Sequence, residues 1–122
     1  MTVTARIDAP RPLSHAARMD TLSRLEQTID QRRSADAGKS YVAQLNARGL
    51  PVMARKLGEE AVEAVTAALA GDREELVGEA ADVLFHLMVL LRARDIPLAD
   101  VLAELDRREG VSGLDEKAAR SE

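Results

Sequence analysis

Residues 51–93 read PVMARKLGEEAVEAVTAALA, then GD, then REELVGEAADVLFHLMVLLRA. Two helical patterns flank a Gly-Asp pair. Pro51 suits the first turn of a helix, where an amide proton has no intrahelical partner anyway. Val52, Leu57, Val62, Val65 and Leu69 follow as apolar positions, and Gly71 is a natural stop. Asp72 is a good N-cap, and Glu75 three residues later makes a capping-box variant. Leu76, Val77, Val83, Leu84, Leu87 and Leu90 carry the second pattern to about Ala93. The spacing predicts a helical hairpin that folds back at Gly71.

The flanks are helical too. Met19, Leu22, Leu25 and Ile29 keep a helical spacing over 18–33. Residues 34–39 are polar, include Gly38 and read as a loop. Ser40 caps a short helix carrying Val42 and Leu45, which ends at Gly49. Pro97 starts a last helix with Leu98, Val101, Leu102 and Leu105, stopped by Gly110. Residues 1–17, with Pro10 and Pro12, read as a flexible N-terminal segment. Residues 111–122 read as a polar tail ordered only by a ligand or partner. The expectation is therefore an all-α domain over 18–110, without internal repeats.

Composition supports this and excludes several classes. The 122 residues suffice for one domain with a modest core. One Phe, one Tyr and no Trp leave strands poorly supported. With no cysteine, disulfides and thiolate zinc sites are out. The N-terminus has no apolar core of a signal peptide. The longest strongly apolar run, 83–91, falls far short of the ~20 residues that span a bilayer. These features predict a soluble cytoplasmic protein with no membrane association. Charge divides along the chain: residues 1–58 carry ten Lys/Arg and five Asp/Glu, and residues 59–122 carry seven and sixteen. Such a division suits a polyphosphate together with its cation. No basic patch with interleaved aromatics is present, so nucleic acid is not an expected partner.

The run 83–91 is apolar nearly all round, and such a helix needs neighbours on several sides. A homodimer whose central hairpins form a four-helix core, or a larger assembly of dimers, supplies them. The alternative is a monomer whose N-terminal helix covers that surface.

Two acidic clusters carry the chemistry, Glu59-Glu60-x-x-Glu63 and Glu79-x-x-Asp82. Residues three apart share a helix face. Glu63 and Glu79 stand eight residues either side of Gly71, and Glu60 and Asp82 stand eleven. At about 1.5 Å per residue, each pair reaches the same height above the turn. Four carboxylates can thus converge if both faces point into the groove. Bare, they would repel and raise one another's pKa values. A divalent cation removes the conflict, and an all-oxygen set suits Mg²⁺, with Mn²⁺ as an alternative. Mg²⁺ commonly takes phosphate oxygens as further ligands, which points to phosphoryl or pyrophosphoryl chemistry. The competing reading is a solvated acidic face, but small and apolar neighbours surround both clusters. Lys56 and His86 extend the symmetry, fifteen residues either side of Gly71. Lys56 is a candidate for phosphate contact or a plain ion pair. His86, in the most apolar segment, reads as a satisfied core histidine before it reads as a ligand or base.

The E-E-x-x-E and E-x-x-D pattern on paired helices resembles the MazG-like all-α nucleoside triphosphate pyrophosphohydrolase superfamily. The fuller strings are more specific. KLGEEAVE at 56–63, GDR at 71–73 and EAADVLFHLMVLL at 79–91 look like the phosphoribosyl-ATP pyrophosphohydrolase family of histidine biosynthesis. Residues 22–33, KSY at 39–41 and GVSGLDEKAAR at 110–120 are similar to that family's flanks, so the resemblance covers roughly residues 20–120. Val83 and Phe85 stand where the family often has Leu and Tyr, and both keep apolar bulk.

The resemblance implies hydrolysis of phosphoribosyl-ATP to phosphoribosyl-AMP and pyrophosphate. By position it makes Glu60, Glu63, Glu79 and Asp82 the Mg²⁺ ligands. Glu59 becomes a further catalytic carboxylate, as ligand or as the group orienting the attacking water. Lys56, Lys39, Tyr41, Lys117 and Arg120 become candidates for substrate contact, with Tyr41 either stacking on the substrate or hydrogen-bonding to it. The chain looks like the stand-alone form rather than a fusion with the cyclohydrolase of the next step. Two other readings stay open: a house-cleaning pyrophosphohydrolase for dCTP or non-standard nucleotides, and a non-enzymatic helical dimerisation module.

Overall fold

The computed structural model describes residues 15–110 together with Lys117 and Arg120, with side chains from Asp20 onward. Five helices follow in chain order: α1 (His15–Arg32), α2 (Tyr41–Arg48), α3 (Leu50–Ala70), α4 (Arg73–Ala93) and α5 (Leu98–Arg108). The fold is all-α, and no strand occurs among the described residues. The first helix starts at His15 rather than 18. The expectations for residues 1–14 lie outside the described residues, as do those for the tail apart from Lys117 and Arg120.

Local chemistry accounts for the boundaries. The Ser40 hydroxyl accepts from the Ala43 amide at 3.3 Å, and Asp72 Oδ1 accepts from the Glu75 amide at 2.9 Å. Each satisfies a donor that a helix start leaves open. Gly49 passes the chain from α2 into α3 at φ 96°, a conformation costly for any residue with a Cβ. Gly71 closes the hairpin for another reason: a Cβ there would come within 3.2 Å of the Ala67 backbone. After α4, Asp95 adopts φ 58° while the Ile96 amide donates to the Leu91 carbonyl and the Asp95 amide to the Arg92 carbonyl. This is a Schellman stop with aspartate in the position glycine usually fills.

The core lies at one end of the hairpin. Ile29 of α1, Val42 and Leu45 of α2, Met53 of α3 and Met88 and Val89 of α4 are buried together. Leu22, Leu25, Leu50, Phe85, Leu90, Ala93 and Leu98 pack against them. The N-terminal helix thus covers the C-terminal half of α4, and Asp30 accepts from Arg92 Nε at 2.8 Å across that contact. The Glu26 carboxylate accepts from the Leu98 amide at 2.7 Å, capping α5 from a different helix.

The two 21-residue arms of the hairpin extend well beyond this core. In the distal part only Ala67 is buried, while Val62, Val65, Leu69, Val77 and Leu84 are exposed. The acidic clusters sit where the packed end gives way to this apolar extension.

Candidate active site

α3 supplies Glu59, Glu60 and Glu63, and α4 supplies Glu79 and Asp82. Carboxylate oxygens of Glu60, Glu79 and Asp82 lie within 4.8 Å of one another. Glu60 and Glu79 are half-buried and Asp82 is exposed. Oε2 of Glu60 and Oε2 of Glu79 are each buried with no hydrogen-bond partner among the described residues. A buried acceptor without a donor costs about 1–3 kcal/mol, so this pair is poorly served by the protein alone.

Glu63 stands at the edge of the group, exposed, and contacts both Glu60 and Glu79. Two carboxyls form a hydrogen bond only when one carries a proton. The electrostatics follow: burial, then the hydrogen bond to Glu63, then the charges of Glu63 and Asp82 push the Glu60 carboxyl above its ordinary value. Glu79 is raised by burial, by the same contact with Glu63, and by the charges of Glu63, Asp82 and Glu60. Burial and mutual repulsion thus favour the protonated forms of Glu60 and Glu79.

The set fits a hard divalent cation. Its donors are all carboxylate oxygens, two of them buried and unpartnered, drawn from facing helices on a rigid hairpin.

The remaining sequence candidates divide. Glu59 lies outside the converging group, paired with Arg55 Nε at 3.6 Å and with Lys56 Nζ at 3.4 Å. Lys56 is thus in an ion pair three residues along its own helix. Tyr41 is close to the site through His86, whose Nδ1 lies 2.8 Å from the Asp82 carbonyl and whose Nε2 lies 3.2 Å from the Tyr41 hydroxyl. His86 is buried with both nitrogens partnered, as a satisfied core histidine should be. Lys39, Lys117 and Arg120 are exposed. Sequence reasoning missed Arg55 as a second cation on Glu59, although the i,i+4 spacing was available as a signal. It also missed the link between Tyr41 and His86, 45 residues apart, for which no local signal exists.

A helical hairpin with two facing acidic turns is the arrangement that the resemblance to the MazG-like all-α superfamily implied. Comparison with known proteins narrows this. The family profile described as phosphoribosyl-ATP pyrophosphohydrolase matches residues 22–109. A phosphoribosyl-ATP pyrophosphatase of Erythrobacter litoralis is 67% identical over 104 residues, covering 85% of this chain and 100% of its own. Those of Novosphingobium aromaticivorans and Rhizorhabdus wittichii are 66% and 68% identical, covering 84% and 82% of this chain and 95% and 94% of their own. The chain belongs to the phosphoribosyl-ATP pyrophosphohydrolase family.

Proposed function

We propose that this protein is the hydrolase that converts phosphoribosyl-ATP to phosphoribosyl-AMP and pyrophosphate in histidine biosynthesis, with Mg²⁺ as its cofactor. Family membership supports the reaction. The observation that carries the metal is the pair of buried, unpartnered oxygens on Glu60 and Glu79, converging with Asp82. Glu60, Glu79 and Asp82 would hold the ion, with Glu63 as the fourth carboxylate, and Mn²⁺ suits the same oxygens. Bound there, the cation supplies positive charge to the polyphosphate and makes a water easier to deprotonate.

The chain's own groups do the rest. Glu59, held between Arg55 and Lys56, orients the attacking water from the next position round the helix. Lys56 exchanges its bond to Glu59 for a phosphate oxygen. Lys39, Lys117 and Arg120 add charge for the phosphates, and Tyr41 contacts the remainder of the nucleotide. Residues 18–110 form the catalytic unit. The working assembly is a homodimer or a set of dimers, because the distal hairpin leaves Val62, Val65, Leu69, Val77 and Leu84 exposed and a second hairpin covers them as a four-helix core. The setting is the cytoplasm.

The test is pyrophosphate release from phosphoribosyl-ATP with Mg²⁺, with EDTA as control and ATP and dCTP as competitors. Release that needs Mg²⁺ and far exceeds that from ATP or dCTP is the expected result. Equal turnover of dCTP would transfer the protein to the house-cleaning class, and no turnover of any nucleotide would leave a helical scaffold.

A further inference from the structure

Tyr41 is fixed at three points. It is the first residue of α2, directly after the Ser40 cap. Its ring stacks against Phe85, with centroids 6.1 Å apart and planes 19° from parallel. Its hydroxyl reaches His86 Nε2 at 3.2 Å. The His86 contact has a direction. The Asp82 carbonyl can only accept, so His86 Nδ1 carries the proton in that 2.8 Å bond. In the neutral ring Nε2 is then an acceptor, and the Tyr41 phenol donates to it. Phe85 meets the His86 ring edge-on, with centroids 5.1 Å apart, and holds it in place.

The hydroxyl proton of Tyr41 is therefore committed inward, and one ring face is backed by Phe85. Yet Tyr41 remains 46% exposed. With the hydroxyl taken by His86, what Tyr41 has left for a ligand is the ring face away from Phe85. Were the hydroxyl to bind a ligand instead, it would leave a buried histidine nitrogen unpaired. His86 is one helical turn from Asp82, so the platform begins one turn beyond the carboxylates along α4. A nucleotide with its phosphates at the acids can extend its base that way.

We propose that Tyr41 binds the substrate through the ring face away from Phe85, as a stacking platform for a purine base, and that His86 is the positioning residue that holds the ring. This rests on the nucleotide-hydrolase reading above and names the group that recognises the base. The aromatic ring provides sequence-tolerant stacking for a base and nothing for a bare polyphosphate.

Tyr41 is the only tyrosine and the chain has no tryptophan, so its fluorescence reports on this ring alone. Titrating the full-length protein with AMP in Mg²⁺ should quench that emission saturably, and pyrophosphate should not. Tyr41→Leu should raise KM for phosphoribosyl-ATP about tenfold or more with kcat nearly kept. Tyr41→Phe, which keeps the face and loses the anchor, should raise KM only by roughly two- to fivefold. His86→Leu should match Tyr41→Phe, the double variant should be no worse than either alone, and His86→Gln should restore part of the loss. Tyr41→Phe as damaging as Tyr41→Leu would make the hydroxyl the contact and overturn the proposal. Equal quenching by pyrophosphate, or a His86→Leu effect confined to kcat, would overturn it too. If His86→Leu fails to fold, the two Tyr41 variants still decide. Absence of turnover by the unaltered protein would sink the proposed reaction, while the comparison of AMP with pyrophosphate would still judge the platform.

Discussion

Glu60 on α3 and Glu79 on α4 meet across the hairpin, each burying a carboxylate oxygen that no group among the described residues satisfies. A cation bound only by the folded state stabilises it by mass action, about 2.7 kcal/mol at a hundredfold excess over Kd. Mg²⁺ should therefore raise the melting temperature of the unaltered protein by several degrees. Glu79→Gln should cancel that increment and, because it removes one of the repelling charges, leave the metal-free protein at least as stable. Differential scanning calorimetry with EDTA and with Mg²⁺ measures both. An increment that survives Glu79→Gln in full would contradict the assignment.

The same pair sets a pH dependence. Both carboxyls titrate above the ordinary glutamate value of 4.5 in the metal-free protein. A group that holds its proton more tightly when folded contributes stability below its unfolded pKa and loses it as pH rises through the folded one. This pair therefore weakens the metal-free protein as pH climbs above 4.5. Glu104 has the opposite sign: hydrogen bonds from Arg107 and Arg108 lower it to about 2, so its contribution is present above 4.5 and lost as pH falls toward 2. At the proposed site Mg²⁺ would compete with the protons held by Glu60 and Glu79. Its stabilising increment should grow with pH above 4.5, and melts across a pH series would refute this if the increment stayed flat or shrank.

Asp95 holds φ 58° at the end of α4, a conformation that costs an ordinary residue about 1 kcal/mol. Its contact with Arg33, at 3.7 Å, is too exposed to repay much of that. Asp95→Gly should stabilise the protein by about 0.5–1 kcal/mol. Urea unfolding would detect the shift, and a loss of stability would show that the pair with Arg33 outweighs the backbone.

Glu26 caps a helix far from it in sequence through its bond to the Leu98 amide. Glu26→Ala should cost about 1 kcal/mol, felt mainly as loosening of α5. Hydrogen exchange at the Leu98 amide should accelerate while that at Leu45, in the buried core, changes less.

Leu69 is 85% exposed on the distal hairpin, so a charge there does little harm within a single chain. Leu69→Glu should leave helicity unchanged and shift the proposed dimer to monomer. Sedimentation velocity separates the two, and an unaltered protein that sediments as a monomer would refute the assembly.

Helix boundaries were legible in the sequence because they depend on local chemistry. Ser40 and Asp72 cap with their own side chains, and Gly49 and Gly71 stop helices within a turn of the residues that signal them. The convergence of the acids was legible for a related reason. Helices rise by a constant step, so equal distances from Gly71 put Glu60 and Asp82 at one height and Glu63 and Glu79 at another. Rotation about each helix axis was not legible. It is set by how Ile29, Leu45, Met53 and Met88 pack into one core, and that packing turned Glu60 and Glu79 inward and left Glu63 at the exposed edge. The tie between Tyr41 and His86 and the cap from Glu26 to Leu98 belong to the same class. By itself the sequence determined the helices and the acidic groove between two of them. Only the tertiary structure decided which side chains face that groove, because a contact between distant residues depends on how every intervening helix packs.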